Sequence, residues 1–231
     1  MVPTRAPRRG DKELARSREL YAWERRLREA HHYIAGVDEV GRGPMAGPVV
    51  AAAVILPQSP LVAGIDDSKR LSPAKRERVF TDILENCVSF GIGVRSARFV
   101  DEKGIAEATS SAMRIAVAML SLKGYAPDLV IVDGYPIRGL SLPQMAVVKG
   151  DSTSASVAAA SIVAKVVRDR MMSQYDRIYP GYGFAGHKGY CTRSHRDLVN
   201  DLGPCPIHRR SFQPVSAQCL AEADDVAEDS D

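Results

Sequence analysis

The chain is poor in several things, and each shortage excludes something. Aromatic residues are 6% of 231 positions, which does not suggest a β-sandwich. Its four cysteines (Cys87, Cys191, Cys205, Cys219) form no Cys-x-x-Cys pair and no dense framework. That argues against a disulfide scaffold and for a reducing, cytoplasmic compartment. The longest apolar runs, Val49 to Leu56 and Val157 to Ala164, are far too short to span a bilayer. The start of the chain is Arg-rich with no apolar stretch behind it, so no secretory signal is read there. There is also no Gly-Lys-Ser/Thr element, which removes a Walker-type phosphate loop.

What is present is enough apolar material for a core, 45% of residues, and an uneven charge. The length suits one large domain or one domain with an appendage. Net charge is +3, but residues 213–231 hold six acids and no Lys or Arg, so residues 1–212 alone carry +9. A body that basic favours a polyanionic partner, nucleic acid ahead of a merely soluble surface, and the acidic tail favours a solvated, disordered end.

Residues 1–10 are rich in Pro and Arg and read as disordered. Asp11 to Ala30 reads as a charged helix that either docks on the body or adds positive charge. Tyr33 to Val40 and Val49 to Leu56 read as strands of an antiparallel hairpin around a turn with three glycines and two prolines. A loop carries Asp66-Asp67-Ser68-Lys69-Arg70; Ser72 and Pro73 then open a helix to about Cys87. Val88 to Ser96 alternates as a strand, and Val100 to Lys123 reads as one helix closed by Gly124. Asp128 to Asp133 is a short apolar run ending in an acid, as a central parallel strand would be, and Gln144 to Lys149 is a further strand. A long helix follows from about Ser154 to Tyr175, with small residues at 158–161 allowing close packing. Pro180 to Tyr190 reads as loop, Thr192 to Leu202 as a short helix and Pro204 to Phe212 as an extended basic segment. This order predicts an α/β layered domain with a mixed sheet, in which function gathers at strand carboxyl ends.

Asp38, Glu39 and Asp133 fall at such ends, and Asp151 opens a helix just past another. Carboxylates are costly to desolvate without partners. Four of them on different elements suit hard divalent cations, which take oxygen ligands and assist phosphoryl displacement in pairs. One difficulty is geometric. Neighbouring strand residues point to opposite faces, so Asp38 and Glu39 are expected to share a site only if the strand ends or bends there. The alternative is that Glu39 or Asp133 merely caps or pairs with a base.

Gly41-Arg42-Gly43-Pro44-Met45-Ala46 formally matches a dinucleotide fingerprint, but strand rather than helix is expected after it. Arg42 meeting a phosphate, with glycines admitting close approach, is preferred; a tight hairpin turn is the plain alternative. His187, Cys191, His195, Cys205 and His208 can be drawn as a zinc site, but their order is no familiar ligand pattern. Surface polar residues and small buried thiols are the preferred reading. Tyr182, Phe184 and Tyr190 among glycines and cations suggest a ligand-facing loop, against packing onto the core. Arg209 and Arg210, with Lys69, Arg70 and Lys149, are read as a phosphate-contacting face.

Tyr33 to Leu56, Asp67 to Ser72, Ile131 to Gly134, Val148 to Ser152, Ala159 to Lys165, Tyr182 to Tyr190 and His208 to Phe212 together resemble bacterial ribonuclease HII. The resemblance spans about residues 33–214. It implies an RNase H-like mixed β-sheet flanked by helices, with a C-terminal helical extension. It divides the chain into an N-terminal charged extension (1–30), a catalytic domain (31–214) and an acidic disordered tail (215–231). It implies an endonuclease that cuts RNA in RNA–DNA hybrids, and cuts 5′ of single ribonucleotides in duplex DNA, leaving 3′-hydroxyl and 5′-phosphate ends. The family's acidic residues fall on Asp38, Glu39, Asp133 and Asp151, which would hold two Mg²⁺ or Mn²⁺ ions. Its motif for the ribonucleotide 2′-hydroxyl and junction phosphate falls on Gly41, Arg42 and Gly43, and its junction-sensing tyrosine on Tyr190. Ser68 and Lys69 match a substrate-contacting loop. Arg70 stands where the family more often has Lys. A monomer with nucleic acid as its partner and no membrane is expected. No sliding-clamp motif is evident, since Gln218-Cys219-Leu220 runs on into acids.

Overall fold

The computed structural model describes residues 9–217; the expectations for 1–8 and 218–231, most of the acidic tail among them, lie outside the described residues. The elements in chain order are α1 (Arg9–Arg25), β1 (Ile34–Val40), β2 (Val49–Ile55), α2 (Pro73–Asn86), β3 (Ser89–Arg95), α3 (Ala97–Leu122), β4 (Leu129–Asp133), β5 (Gln144–Val147), α4 (Ala155–Ile178), α5 (Phe184–His187) and α6 (Arg193–Leu202). Hydroxyl side chains set the helix starts. Ser72, Ser96, Ser154 and Thr192 each accept a hydrogen bond from the backbone N–H three residues on. Two expectations change: a short helix, α5, forms within the stretch read as loop, and the helix at 97–122 is interrupted at Gly104, whose φ of 78° and ψ of 158° only glycine adopts without strain.

The five strands form one mixed sheet in the order β3-β2-β1-β4-β5. β1, β2 and β3 are antiparallel neighbours, whereas β4 runs parallel to β1, and β5 to β4. This is the expected hairpin followed by a parallel pair. α3 covers one face, burying Ala108, Ala112 and Ala116 against Ala35, Val37, Ala51, Ala53, Val130 and Val132. It has the length and composition of a membrane span, but half of that stretch is buried in this packing. α4 covers the other face with a run of alanines, and α2 and α1 add Val79, Ile83, Leu20 and Tyr21 to that layer. At Gly36 a Cβ would collide with the backbone of Ser156 and Val157, so the missing side chain is what lets α4 lie against β1. A third cluster joins Met45, Met172, Phe184 and Val199, fixing the segment after α4 to the turn after β1.

Candidate active site

Strand alternation assigns the acids to faces. Ala35 and Val37 point toward α3, so Glu39 does too; Ile34 and Gly36 point toward α4, so Asp38 does as well. Of the two ways for the acids to meet, a bend is not used, and the strand itself ends at Val40, one residue past Glu39. Asp38, Glu39 and Val40 pair in regular register with Ala52, Ala51 and Val50. The acids come together by another route. The β1–β4 ladder ends at Val37↔Val132, so the next residues, Asp38 and Asp133, flank each other where the ladder opens. Glu39, on the opposite face of the same open end, also feels the Asp133 charge.

Burial, then Glu39 and Asp133, hold the Asp38 carboxyl well above the usual range, although Ser161 and the Glu39 N–H (2.7 Å) bond to it. Burial raises Glu39, Arg42 at 3.2 Å draws it down, and Asp133 pushes it up. The backbone N–H of Gly150 donates to Asp133 Oδ1 at 2.7 Å, tying β4 to the turn that carries Asp151. Asp151 is raised by burial, Asp67 and Asp133, while Lys69 Nζ stands 4.0 Å from its Oδ2. Like charges are therefore crowded into a poorly solvated corner, an arrangement that resists ionisation. Among the described residues no three His, Cys, Asp or Glu side chains already surround one point. The all-oxygen donor set and the mutual repulsion nevertheless fit a hard divalent cation, which would supply the missing positive charge.

The turn after β1 presents Arg42 and Gly43 to solvent. Gly41 has φ +94°, and a Cβ there would strike Arg168. β2 rather than a helix follows, so the dinucleotide reading fails for want of a helix N-terminus. Two wholly buried arginines hold the turn from behind. Arg168 donates to the carbonyls of Pro48 (3.0 Å), Lys188 (2.9 Å) and Ala46 (3.1 Å). Arg209 donates to those of Gly41, Arg42 (2.9 Å) and Gly47 (2.9 Å). Arg209 is thus not on a phosphate-contacting face, as its basic neighbours suggested; burial, with Arg168 nearby, lowers it to about 10. Arg210 and Lys149 are exposed, and so are Lys69 and Arg70.

Of the aromatic loop, Phe184 is fully buried and the Tyr182 hydroxyl donates to Gly203 O (2.8 Å), so both belong to the core. Tyr190 is 44% exposed and alone presents its ring. His195 and His208 are buried rather than on the surface, and their ring nitrogens are taken up by hydrogen bonds within the protein. His208 Nδ1 accepts from Cys205 N (3.0 Å), which leaves Nε2–H to donate to His195 Nε2 (3.0 Å). His195 Nδ1–H then donates to the Tyr190 carbonyl at 2.9 Å. Burial lowers both to about 4, so this neutral relay persists at pH 7. Ser161, noted in the sequence only as small, serves Asp38 and shares a 2.8 Å hydrogen bond with buried Ser68. The Ser68 hydroxyl is therefore turned inward, and only Lys69 of that pair faces out. Arg168, His195, His208 and Ser161 carry no sequence signal for these roles, because each depends on a partner distant in the chain.

Comparison with known proteins identifies the family and the fold. Residues 35–215 match the family model described as Ribonuclease HII. The chain is 51% identical over 195 residues to the ribonuclease HII of Moorella thermoacetica, covering 84% of this chain and 93% of that protein. Its structure is similar to ribonuclease H2 from Pyrococcus horikoshii (TM-score 0.68, 24% identity, 82% of this chain and 98% of that one). It is similar to the RNase HII solved with PCNA from Archaeoglobus fulgidus (TM-score 0.64, 28% identity, 78% and 95%). It is also similar to Bst-RNase HIII in complex with Mn²⁺ (TM-score 0.57, 20% identity, 97% and 77%). The RNase H-like fold, the match over most of the chain and the identity agree: the chain belongs to the ribonuclease HII family of endoribonucleases.

Proposed function

We propose that the protein hydrolyses the RNA strand of RNA–DNA hybrids and cuts 5′ of single ribonucleotides embedded in duplex DNA, leaving 3′-hydroxyl and 5′-phosphate ends. The observation that carries this reading is the convergence of Asp38, Glu39, Asp133 and Asp151 at one opened sheet end, beside a turn that exposes Arg42. These four carboxylates would hold two divalent ions, Mg²⁺ or Mn²⁺. When bound, the ions supply an activated water and stabilise the leaving 3′-oxygen. Asp38, with Glu39 and Asp133 as neighbours, and Asp151, in the turn that leads into α4, would supply the oxygen ligands.

Arg42 fixes the phosphate 5′ to the ribonucleotide. The backbone at Gly41 and Gly43 meets the 2′-hydroxyl, the group that tells RNA from DNA. The Tyr190 ring stacks on the sugar that follows, so a deoxyribose is favoured there. Arg168 fixes the spacing between these two readers, because it bonds to carbonyls on both segments. Lys69 contacts the backbone of the duplex, while Ser68 acts indirectly through Ser161. We read residues 31–214 as the catalytic unit, with 1–30 and 215–231 as its extensions. We read it as a cytoplasmic monomer, the free thiols of Cys87, Cys191 and Cys205 being in keeping with a reducing compartment.

The test is a labelled duplex with one embedded ribonucleotide, incubated with Mg²⁺, with Mn²⁺ and with EDTA. We expect one cut, 5′ of the ribonucleotide, with either ion and none with EDTA. Cutting that survives EDTA, or maps 3′ of the ribonucleotide, would sink the reading.

A further inference from the structure

The helix α1 lies outside the stretch matched by the family model, yet one of its side chains reaches the residue after Asp151 and another sits on the start of α4. Glu24 is wholly buried, and its carboxylate accepts from Ser154 Oγ (2.5 Å), Ser156 N (2.6 Å) and Ser156 Oγ (3.0 Å). It therefore sits on the N-terminus of α4, where a negative charge is favoured, and Arg28 Nη2 at 3.1 Å balances it. Eight residues earlier, Arg16 makes a fork. Its Nη2 donates to Ser152 O at 2.9 Å, and its Nε to Asp66 Oδ1 at 3.2 Å. Ser152 follows Asp151 directly, and Asp66 opens the Asp67-Ser68-Lys69 loop. One guanidinium thus joins the two segments whose charges, Asp67 and Lys69 on one side and Asp151 on the other, act on each other.

The helix itself is well anchored. Glu13 pairs with Lys75 (3.1 Å) and Arg78 (2.9 Å) on α2. Leu20 and Tyr21 are buried, and Tyr21 Oη accepts from Val62 N at 3.2 Å. A merely covering helix would need the apolar contacts and the ion pairs to α2. It would not need a buried carboxylate on α4 or a guanidinium across the two loops.

We propose that α1 is part of the active site's framework: Arg16 and Glu24 are positioning residues that set the Asp151 turn and the Ser68-Lys69 loop at their working separation. This rests on the reading of Asp151 as a metal ligand. Arg16 is the sharper probe, because its side chain is partly exposed and its loss leaves the core intact.

The experiment compares full-length Arg16→Ala, Arg16→Lys, Glu24→Gln and Asp151→Asn with the parent. Mn²⁺ binding is measured by calorimetry without substrate, kcat and KM on the single-ribonucleotide duplex, and melting temperature in EDTA. Arg16→Ala should weaken Mn²⁺ binding and lower kcat by roughly tenfold each, the lower end for groups that orient metal ligands. KM should stay within about twofold, and the melting temperature within about 2 °C, since part-exposed pairs contribute little stability. Arg16→Lys should fall between the two, because an ammonium cannot reach both partners as a fork does. If Glu24→Gln does not fold, Arg16→Ala decides alone. The proposal is overturned if Arg16→Ala binds Mn²⁺ as the parent does, or loses activity only in step with its melting temperature. If Asp151→Asn weakens Mn²⁺ binding and Arg16→Ala does not, the positioning role alone falls. If Asp151→Asn also binds as the parent does, the site reading fails and takes the positioning role with it.

Discussion

Two regions bury charge, and they treat it in opposite ways. At the open end of β1 and β4, acids crowd together with few donors: Asp38 has the Glu39 N–H and the Ser161 hydroxyl. Behind the turn at 41–48, Arg168 and Arg209 are just as deeply buried, but their guanidinium groups are spent on carbonyls of residues 41, 42, 46, 47, 48 and 188. The first region is electrostatically incomplete and asks for positive charge from outside. The second is complete and asks for nothing. A buried charge is therefore no guide to chemistry by itself; whether its hydrogen bonds are satisfied is the discriminating fact.

The largest expected break falls in the incomplete region. Asp38→Asn should lower cutting by roughly 10³-fold or more, as for groups that act as a unit. It should also raise the melting temperature in EDTA, because a carboxyl opposed by burial, Glu39 and Asp133 is removed. A fall in melting temperature would mean that Asp38 is a structural partner. The mirror experiment is Arg209→Met. It leaves buried carbonyls unserved and should cost about 4 kcal/mol in urea denaturation. A loss under about 1 kcal/mol would show that the carbonyls find other donors.

Smaller effects sharpen the contrast. Tyr190→Ala removes an exposed ring and should reduce the preference for an RNA–DNA junction over continuous RNA by roughly tenfold, the scale of one stacking contact. Its melting temperature should barely move. An equal loss of both would make Tyr190 a core residue. The smallest effect concerns pH. His195 and His208 are lowered to about 4 by burial, whereas an unfolded histidine titrates near ~6.5. On acidification the unfolded chain takes up protons first, so stability should decline progressively from about pH 7 toward pH 4. A double His195→Gln, His208→Gln variant should lose much of this slope in melting temperature against pH; an unchanged slope would assign it elsewhere.

Much of the fold is legible in the sequence because its signals are local. Ser72-Pro73, Ser154 and Thr192 announce helix starts, and the apolar run ending at Asp133 announces a parallel strand. The placement of the four acids is legible for the same reason: each lies near or just past a strand end. What misleads is partnership across the chain. Arg209 lies in a basic run and looks solvated, but its acceptors are more than 160 residues away. Phe184 looks ligand-facing among its glycines and is core. Glu24 is one acid in a charged helix, and nothing nearby in sequence marks it as the one on α4. How Asp38 and Glu39 meet Asp133 is not legible from β1 alone, because it depends on the β1–β4 ladder ending at Val37↔Val132.

The staple from Arg209 to Gly41 closes a loop of 168 residues. A chain made from its N-terminus can therefore pair β1 with β4 before Arg209 is present to hold the turn after β1. Contacts so distant in sequence form late. The shape of the turn after β1 is thus settled only once a segment 168 residues further along the chain is in place.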